Sequence, residues 1–297
     1  MKRKRVILTV VVLTIAVGAA AVTLDPAARV HGWAGGEPFH DGKSATGWRR
    51  ELRKKDEVAP AAAVKTLADA KAAGVCGWLL EKAPESAVRR RAADSLAQMG
   101  KDAAPAAPSL VKALADADPL VRGVAARAVG ELAPDAPGAV PALVKQFPDV
   151  DAIRAVAKFK AAGAEAVPEL TKLLTHEDGM VRWQALRTLG KIGEPSLPTL
   201  PKIIEMMGGD PNPLVREHAA EAAGDIGPAA KDAVPALAKA MKDPEHKVRR
   251  DAVRSLGQIG PAAAPVLADV KALMKDDEEI VREAATRAAR LIDPSGK

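Results

Sequence analysis

A valine–arginine pair that returns about every 33 residues is the feature that most constrains this chain. Counted on the arginine, the pair occurs six times, and a related Ile153-Arg154 lies between the second and third occurrences. Successive spacings are 33, 32, 28, 34, 33 and 33 residues. A period of this length is typical of helical units that stack on one another, so the sequence predicts an all-α solenoid. The arginines are Arg89, Arg122, Arg182, Arg216, Arg249 and Arg282.

The apolar residues of each unit fall on one face of a helix. Val248, Ala252, Leu256 and Ile259 are separated by four, four and three residues, which is helical spacing and not strand alternation. A glycine then ends this helix A, and a proline opens a helix B after a short turn. The glycines are Gly100, Gly193, Gly227 and Gly260, and the prolines are Pro108, Pro141, Pro168, Pro235 and Pro265.

Three stretches carry the whole pattern: "DADPLVRGVAARAVGEL", "PNPLVREHAAEAAGDIG" and "DPEHKVRRDAVRSLGQIG". They resemble the HEAT repeat, in the short form known from phycobilisome lyases. The resemblance is clear over residues 84–293 and degenerate over 56–83. It implies a right-handed α-solenoid of about six to seven helical hairpins, closed by a capping helix over 278–293. It also implies that the arginine column ties each repeat to the next and that B helices line a concave face.

Four of the arginines follow an aspartate by six residues. Because these aspartates lie in the turn that leads into helix A, we expect carboxylate and guanidinium to meet there and neighbouring units to share the bonds. We interpret this arginine ladder as structural and not as a binding site. Where the column weakens, at "FPDVD", we expect a kink or a change of curvature within residues 148–178. The aspartates of the ladder are Asp116, Asp210, Asp243 and Asp276.

The N-terminus reads as an address. "KRKR" precedes an apolar run over 6–24, which fits either a cleaved secretory signal or an uncleaved membrane anchor. Both alternatives place the body outside the cytoplasm, in the periplasm or cell envelope. The predicted organisation is signal or anchor over 1–24, linker and lead-in over 25–55, solenoid over 56–293 and tail over 294–297. The lead-in "F…GKS…W…L" also resembles the segment before the repeats in some exported bacterial repeat proteins.

The charge distribution argues against nucleic acid as a partner. The chain carries a net charge of +6, but four basic residues belong to "KRKR". The remaining chain from residue 25 has 44 − 4 = 40 basic and 38 acidic side chains, a net charge of only +2. A near-neutral body offers no strong field for phosphate.

The sequence shows no pattern for catalysis, a metal or a cofactor. Cys76 is the only cysteine, the five histidines are scattered, and "GKS" at 42–44 lacks the glycine that a phosphate-binding loop requires at Glu37. We therefore expect a non-catalytic scaffold for protein–protein interaction. Two alternatives are a bilin lyase or chaperone of the phycobilisome-lyase type, against which export argues, and a nucleic-acid-binding solenoid.

Two surface features are candidates for binding a protein partner. The fourth residue after the proline of helix B recurs as lysine, which predicts a basic column for a partner that is acidic there. Glu205 and Asp269 interrupt this column. Trp183 lies off the apolar face of its helix in an aromatic-poor chain, so it is a candidate anchor. The lysines are Lys112, Lys145, Lys172 and Lys239.

Overall fold

The computed structural model describes residues 36–295, which form two compact units divided between Pro137 and Gly138. The predicted signal or anchor over 6–24 lies outside the described residues. Within residues 36–295, no helix is long and apolar enough to cross a membrane.

The first unit begins with a small antiparallel hairpin and continues in helices. Strands β1 (Phe39–His40) and β2 (Lys43–Ser44) pair with each other, and Gly42 of "GKS" lies in the turn between them. The helices are α1 (Ala45–Leu52), α2 (Val58–Asp69), α3 (Ala73–Lys82), α4 (Ser86–Met99), α5 (Ala107–Ala113) and α6 (Pro119–Glu131).

The second unit is helical throughout its described residues, which end at 295. Its helices alternate between A and B positions of the repeat, and the last of them is an A helix. They are α7 (Ala139–Val144), α8 (Val150–Lys158), α9 (Val167–Leu173), α10 (Gly179–Ile192), α11 (Leu200–Gly209), α12 (Pro213–Ile226), α13 (Val234–Ala240), α14 (His246–Ile259), α15 (Leu267–Ala272) and α16 (Glu279–Ile292).

The predicted glycines end the A helices, but 3₁₀ helices follow where the sequence suggested a short turn. Gly193 and Gly227 have φ of 81° and 90°, a backbone conformation that glycine adopts without steric cost. The segments are Gly100–Ala106, Lys160–Ala166, Glu194–Thr199, Pro228–Ala233 and Gly260–Val266, and a further 3₁₀ turn covers Leu273–Lys275.

Two details differ from the pattern read in the sequence. Pro265 lies inside the 3₁₀ segment and α15 begins at Leu267, so this proline does not open a B helix as predicted. The 28-residue spacing after Arg154 arises because α8 has only 9 residues, whereas α10 has 14. The difference of five residues equals the shortfall from the usual 33.

The core lies along the apolar face that the period predicts. Val248, Ala252 and Leu256 have no exposed surface and Ile259 is 1% exposed. In the second unit, α10 packs on α12, α12 on α14, and α14 on α16. The contact is close because small residues face each other. A methyl group added at Gly257 would lie 2.9 Å from the Cα of Ala288.

The lead-in is folded in its described part. Ser44 caps α1 by accepting a hydrogen bond from the N–H of Gly47. Trp48 is 4% exposed and Leu52 is fully buried. These two residues start the apolar core of the first unit.

Candidate functional site

The arginine ladder links consecutive repeats through bidentate ion pairs. In each pair, Nε and Nη2 of an arginine donate to the two carboxylate oxygens of an aspartate 27 or 28 residues further along the chain. The four Nε–Oδ2 distances lie between 2.6 and 2.9 Å. The arginine side chains are 14–17% exposed and the aspartates 7–9%. The pairs are Arg89–Asp116, Arg182–Asp210, Arg216–Asp243 and Arg249–Asp276.

The same arginines also hold the turn that precedes their own helix. Nη1 of Arg216 donates to the carbonyl of Asp210 at 3.1 Å, and Nη1 of Arg249 donates to that of Asp243 at 3.0 Å. An aspartate is thus bonded through its carboxylate to one arginine and through its carbonyl to the next. The expectation that the carboxylate meets the arginine six residues later was wrong in this detail, because that arginine reaches the carbonyl.

A local turn explains this division of the bonds. The carboxylate of Asp243 also accepts the N–H of Glu245 at 2.9 Å, and that of Asp276 accepts the N–H of Glu278 at 3.0 Å. This turn turns the carboxylate towards the preceding repeat. The carbonyl remains on the side of the following helix.

The electrostatics of the ladder keep both partners charged. Burial acts to raise the pKa of Asp116, but the bonds from Arg89 and the N–H of Asp118 hold that pKa below its usual value. For Asp276 the leading cause is the bond from Arg249, which lowers its pKa, while burial opposes the shift. The bond to Asp276 raises the pKa of Arg249.

Three positions of the column differ from these pairs. Arg122 donates to the carbonyls of Asp116 and Ala117. Arg282 likewise bonds the carbonyls of the turn before α16, the last described helix. Arg154 lies 3.2 Å from Asp151 on its own helix and is half exposed. The weaker Ile153-Arg154 motif therefore also has weaker bonding.

The ladder has one further pair that the repeat pattern did not predict. Nε of Arg49 donates to Oε2 of Glu85 at 2.8 Å, and Nη2 donates to Oε1 at 2.6 Å. The bond from Arg49 lowers the pKa of Glu85 to about 2, although burial opposes the shift. Arg49 follows Trp48 instead of valine, and its partner is a glutamate. The only signal in the sequence is an arginine 40 residues before Arg89.

The predicted lysine column lies on the surface, but it is not a continuous cationic face. All four lysines are exposed. Lys112 lies 3.4 Å from Glu81, and Lys172 lies 2.6 Å from Glu169. Because Pro201 is in the first turn of α11, Glu205 occupies the column there, 2.7 Å from Lys202.

Trp183 is half-buried and stacks on a histidine of the next repeat. Its ring centroid is 4.8 Å from that of His218, with 22° between the ring planes. Nδ1 of His218 lies 2.8 Å from Oε2 of Glu221. The bond with His218, aided by Arg254 and Lys191, lowers the pKa of Glu221 to about 2 against the effect of burial. The tryptophan therefore fills the groove between α10 and α12, with one face left for a partner.

The other reactive side chains of the described region do not form a site. Cys76 is fully buried, and burial raises the pKa of its thiol to about 12. Among residues 36–295, no group of three or more histidine, cysteine, aspartate or glutamate side chains is arranged to hold a metal ion.

The family model of HEAT repeats matches three overlapping segments, residues 77–159, 149–206 and 200–290. Together they span more than two thirds of the 297 residues. The chain belongs to the HEAT-repeat family. The predicted all-α solenoid and the resemblance to HEAT-repeat proteins are therefore confirmed. No curated protein matches the sequence.

Solved structures share this HEAT fold at low sequence identity. An engineered protein matches with a TM-score of 0.61 and 24% identity, over 84% of this chain and 78% of that one. A mutant of Kap121p matches with a TM-score of 0.60 and 15% identity, over 84% of this chain and 33% of that one. The complex of CpcE and CpcF of phycocyanin lyase from Nostoc sp. PCC7120 matches with a TM-score of 0.44 and 24% identity, over 50% of this chain and 97% of that one. The first two likenesses concern the fold alone.

Proposed function

We propose that this HEAT-repeat protein is a non-catalytic scaffold that binds a protein partner in the cell envelope. The observation that carries the proposal is the way the arginine ladder is built. Its pairs hold successive helices in fixed register through side chains that are mostly buried. The exposed side chains of each helix then recur at repeat spacing, as a repeat protein needs for contact with another macromolecule.

The B-helix column is the first candidate for that contact. In the second unit its side chains are Lys145, Lys172, Glu205, Lys239 and Asp269, so both signs of charge are present. A mixed column suits the varied surface of a protein better than the uniform phosphates of a nucleic acid. A groove of about 500 Å³ beside Lys239 adds apolar side chains from Ile204 and Met207.

The buried thiol supports a role without catalysis. A nucleophilic cysteine acts as a thiolate, in an exposed and electropositive setting. Cys76 has neither exposure nor a low pKa.

Export is the part of the proposal that rests on the sequence of residues 2–24. The order of a basic start and a long apolar run is the pattern of a signal or anchor. It places the repeats on the far side of the cytoplasmic membrane, where the partner would be a protein of the envelope.

The test is cross-linking capture from envelope fractions with the full-length protein as bait. A second bait carries the column lysines changed to glutamate, and a control bait carries the same number of charge reversals at exposed lysines off the column. We expect the wild-type and control baits to capture the same protein and the column variant to lose it. Capture of one protein by all three baits would exclude the column as the contact. The column lysines are Lys112, Lys145, Lys172 and Lys239, and the control lysines are Lys65, Lys101, Lys160 and Lys231.

A further inference from the structure

Exposed large apolar side chains recur at one position of the repeat. In residues 36–295 there are seven such side chains, and four of them stand two residues before a ladder arginine. The valine that follows each of the four is buried, at most 4% exposed. The four side chains are Leu120 at 58%, Met180 at 47%, Leu214 at 46% and Ile280 at 41% exposure.

The fold itself does not require an apolar residue at this position. In α4 the position is Ala87 and in α14 it is the exposed Lys247. Single exposed apolar residues are ordinary on protein surfaces. Their return at one repeat position, where lysine and alanine fold equally well, indicates a use outside the core.

Three of the four lie on one edge of the second unit, and we call Met180, Leu214 and Ile280 the apolar strip. They stand in the first turns of α10, α12 and α16, which belong to a single stack of A helices. The pairs Arg182–Asp210, Arg216–Asp243 and Arg249–Asp276 tie together the turns that lead into these helices. The ladder therefore fixes the spacing of the strip.

The turns beside the strip carry carboxylates that the ladder does not use. All six are exposed, and none of them forms an ion pair among the described residues, whereas Asp210, Asp243 and Asp276 are neutralised by arginine. Lys247 adds one positive charge in α14. The edge is therefore apolar and net negative. The six carboxylates are those of Glu177, Asp178, Glu245, Asp277, Glu278 and Glu279.

We propose that this edge docks a basic segment of a partner protein that carries large aliphatic side chains. The aliphatic side chains cover the apolar strip, and lysine or arginine side chains between them meet the six carboxylates. The inference deepens the scaffold function and rests on it, and it assigns a second surface of opposite charge to the lysine column.

The spacing suggests the form of the docked segment. Packed helices lie about 8–10 Å apart, a distance that about three residues of extended chain cover at roughly 3.3 Å per residue. Aliphatic side chains at every third position of an extended segment therefore match Met180 and Leu214 on neighbouring helices.

The probe is a fluorescent peptide of repeated Leu-Lys-Lys units, titrated with the full-length protein and followed by fluorescence anisotropy. Peptides of Leu-Glu-Glu and Ser-Lys-Lys units are the controls for charge and for the aliphatic side chain. We expect the Leu-Lys-Lys peptide to bind at least about tenfold more tightly than either control, because it combines both contacts.

A matched pair of variants localises the binding. The strip variant carries Met180→Ser, Leu214→Ser and Ile280→Ser, and the control variant carries serine at three exposed apolar residues elsewhere, namely Phe39, Val58 and Leu291. We expect about tenfold weaker binding for the strip variant and unchanged binding for the control variant. Equal affinity of both variants, or tighter binding of the Leu-Glu-Glu peptide, would overturn the inference. Loss of partner capture by the lysine-column variant would still support the scaffold function in that case.

Discussion

Replacing Arg249 by methionine should loosen the C-terminal repeats without disturbing the rest of the protein. Methionine keeps an unbranched apolar stem but removes the two bonds to Asp276 and the bonds to the carbonyls of Asp243 and Pro244. Asp276 is left 7% exposed with the N–H of Glu278 as its remaining partner. Stranding one member of a buried pair costs about 3–5 kcal/mol. Because Arg249 is 17% exposed and water reaches the freed carbonyl of Pro244, we expect about 2–4 kcal/mol.

The measurement is amide hydrogen exchange of α14 and α16 by mass spectrometry, because repeat proteins need not unfold in one step. A loss of about 2–4 kcal/mol corresponds to exchange that is faster by roughly 30- to 700-fold. The matched control is Arg287→Met. Arg287 is 78% exposed and lies 3.4 Å from Glu283 on its own helix, so its loss should cost only about 0.3–0.5 kcal/mol.

The pH dependence gives a second signature of the same pair. The bond from Arg249 lowers the pKa of Asp276 in the folded protein, so the unfolded chain binds a proton more readily than the folded one. The stabilisation is therefore complete above the unfolded-state pKa of about 3.9 and is lost as the pH falls through the lower folded-state pKa. The difference between wild type and Arg249→Met should shrink over that range. Equal exchange rates at neutral pH, or a difference that persists unchanged in acid, would refute the structural role of the ladder.

Two further predictions concern packing between A helices of the second unit. Gly257→Ala should destabilise it by about 1–2 kcal/mol in thermal unfolding, because the new methyl group meets the backbone of Ala288 at 2.9 Å and overpacking outweighs the helical gain of alanine. Gly208→Ala is the control, has open space and should stabilise slightly. Gln184→Leu should raise the thermal midpoint, since both polar atoms of this buried amide lack a hydrogen-bond partner and an orphaned polar group costs about 1–3 kcal/mol; the same change at exposed Gln98 should have little effect, and a lower midpoint for Gln184→Leu would contradict the reasoning.

The repeat made the helices and their buried faces predictable from the sequence. A residue that recurs at fixed spacing has the same neighbours in every repeat, so Val88, Val121, Val215, Val248 and Val281 are all fully buried. The glycine stops were predictable for the same reason, since a positive φ excludes most other residues.

The partners of the ladder were harder to predict because they depend on geometry across repeats. The sequence places Asp243 near both Arg216 and Arg249, and only the turn at Glu245 decides which arginine receives the carboxylate. Arg49 was missed because the first helix has tryptophan in place of valine. The exposure of Met180 was also not predictable from its hydrophobicity, since it depends on the direction in which its helix starts.

The positions that break the repeat pattern are the best guide to recognition. Residues that the ladder and the core require are the same in most repeats, so they cannot distinguish one partner from another. Lys247 interrupts the apolar strip, Glu205 interrupts the lysine column, and Trp183 fills a groove beside His218. A partner that reads these irregular positions is bound in one register along an otherwise periodic surface. Exchanging the residues at 214 and 247, as Leu214→Lys with Lys247→Leu, conserves composition and net charge, so a change in partner capture would report register and not overall charge.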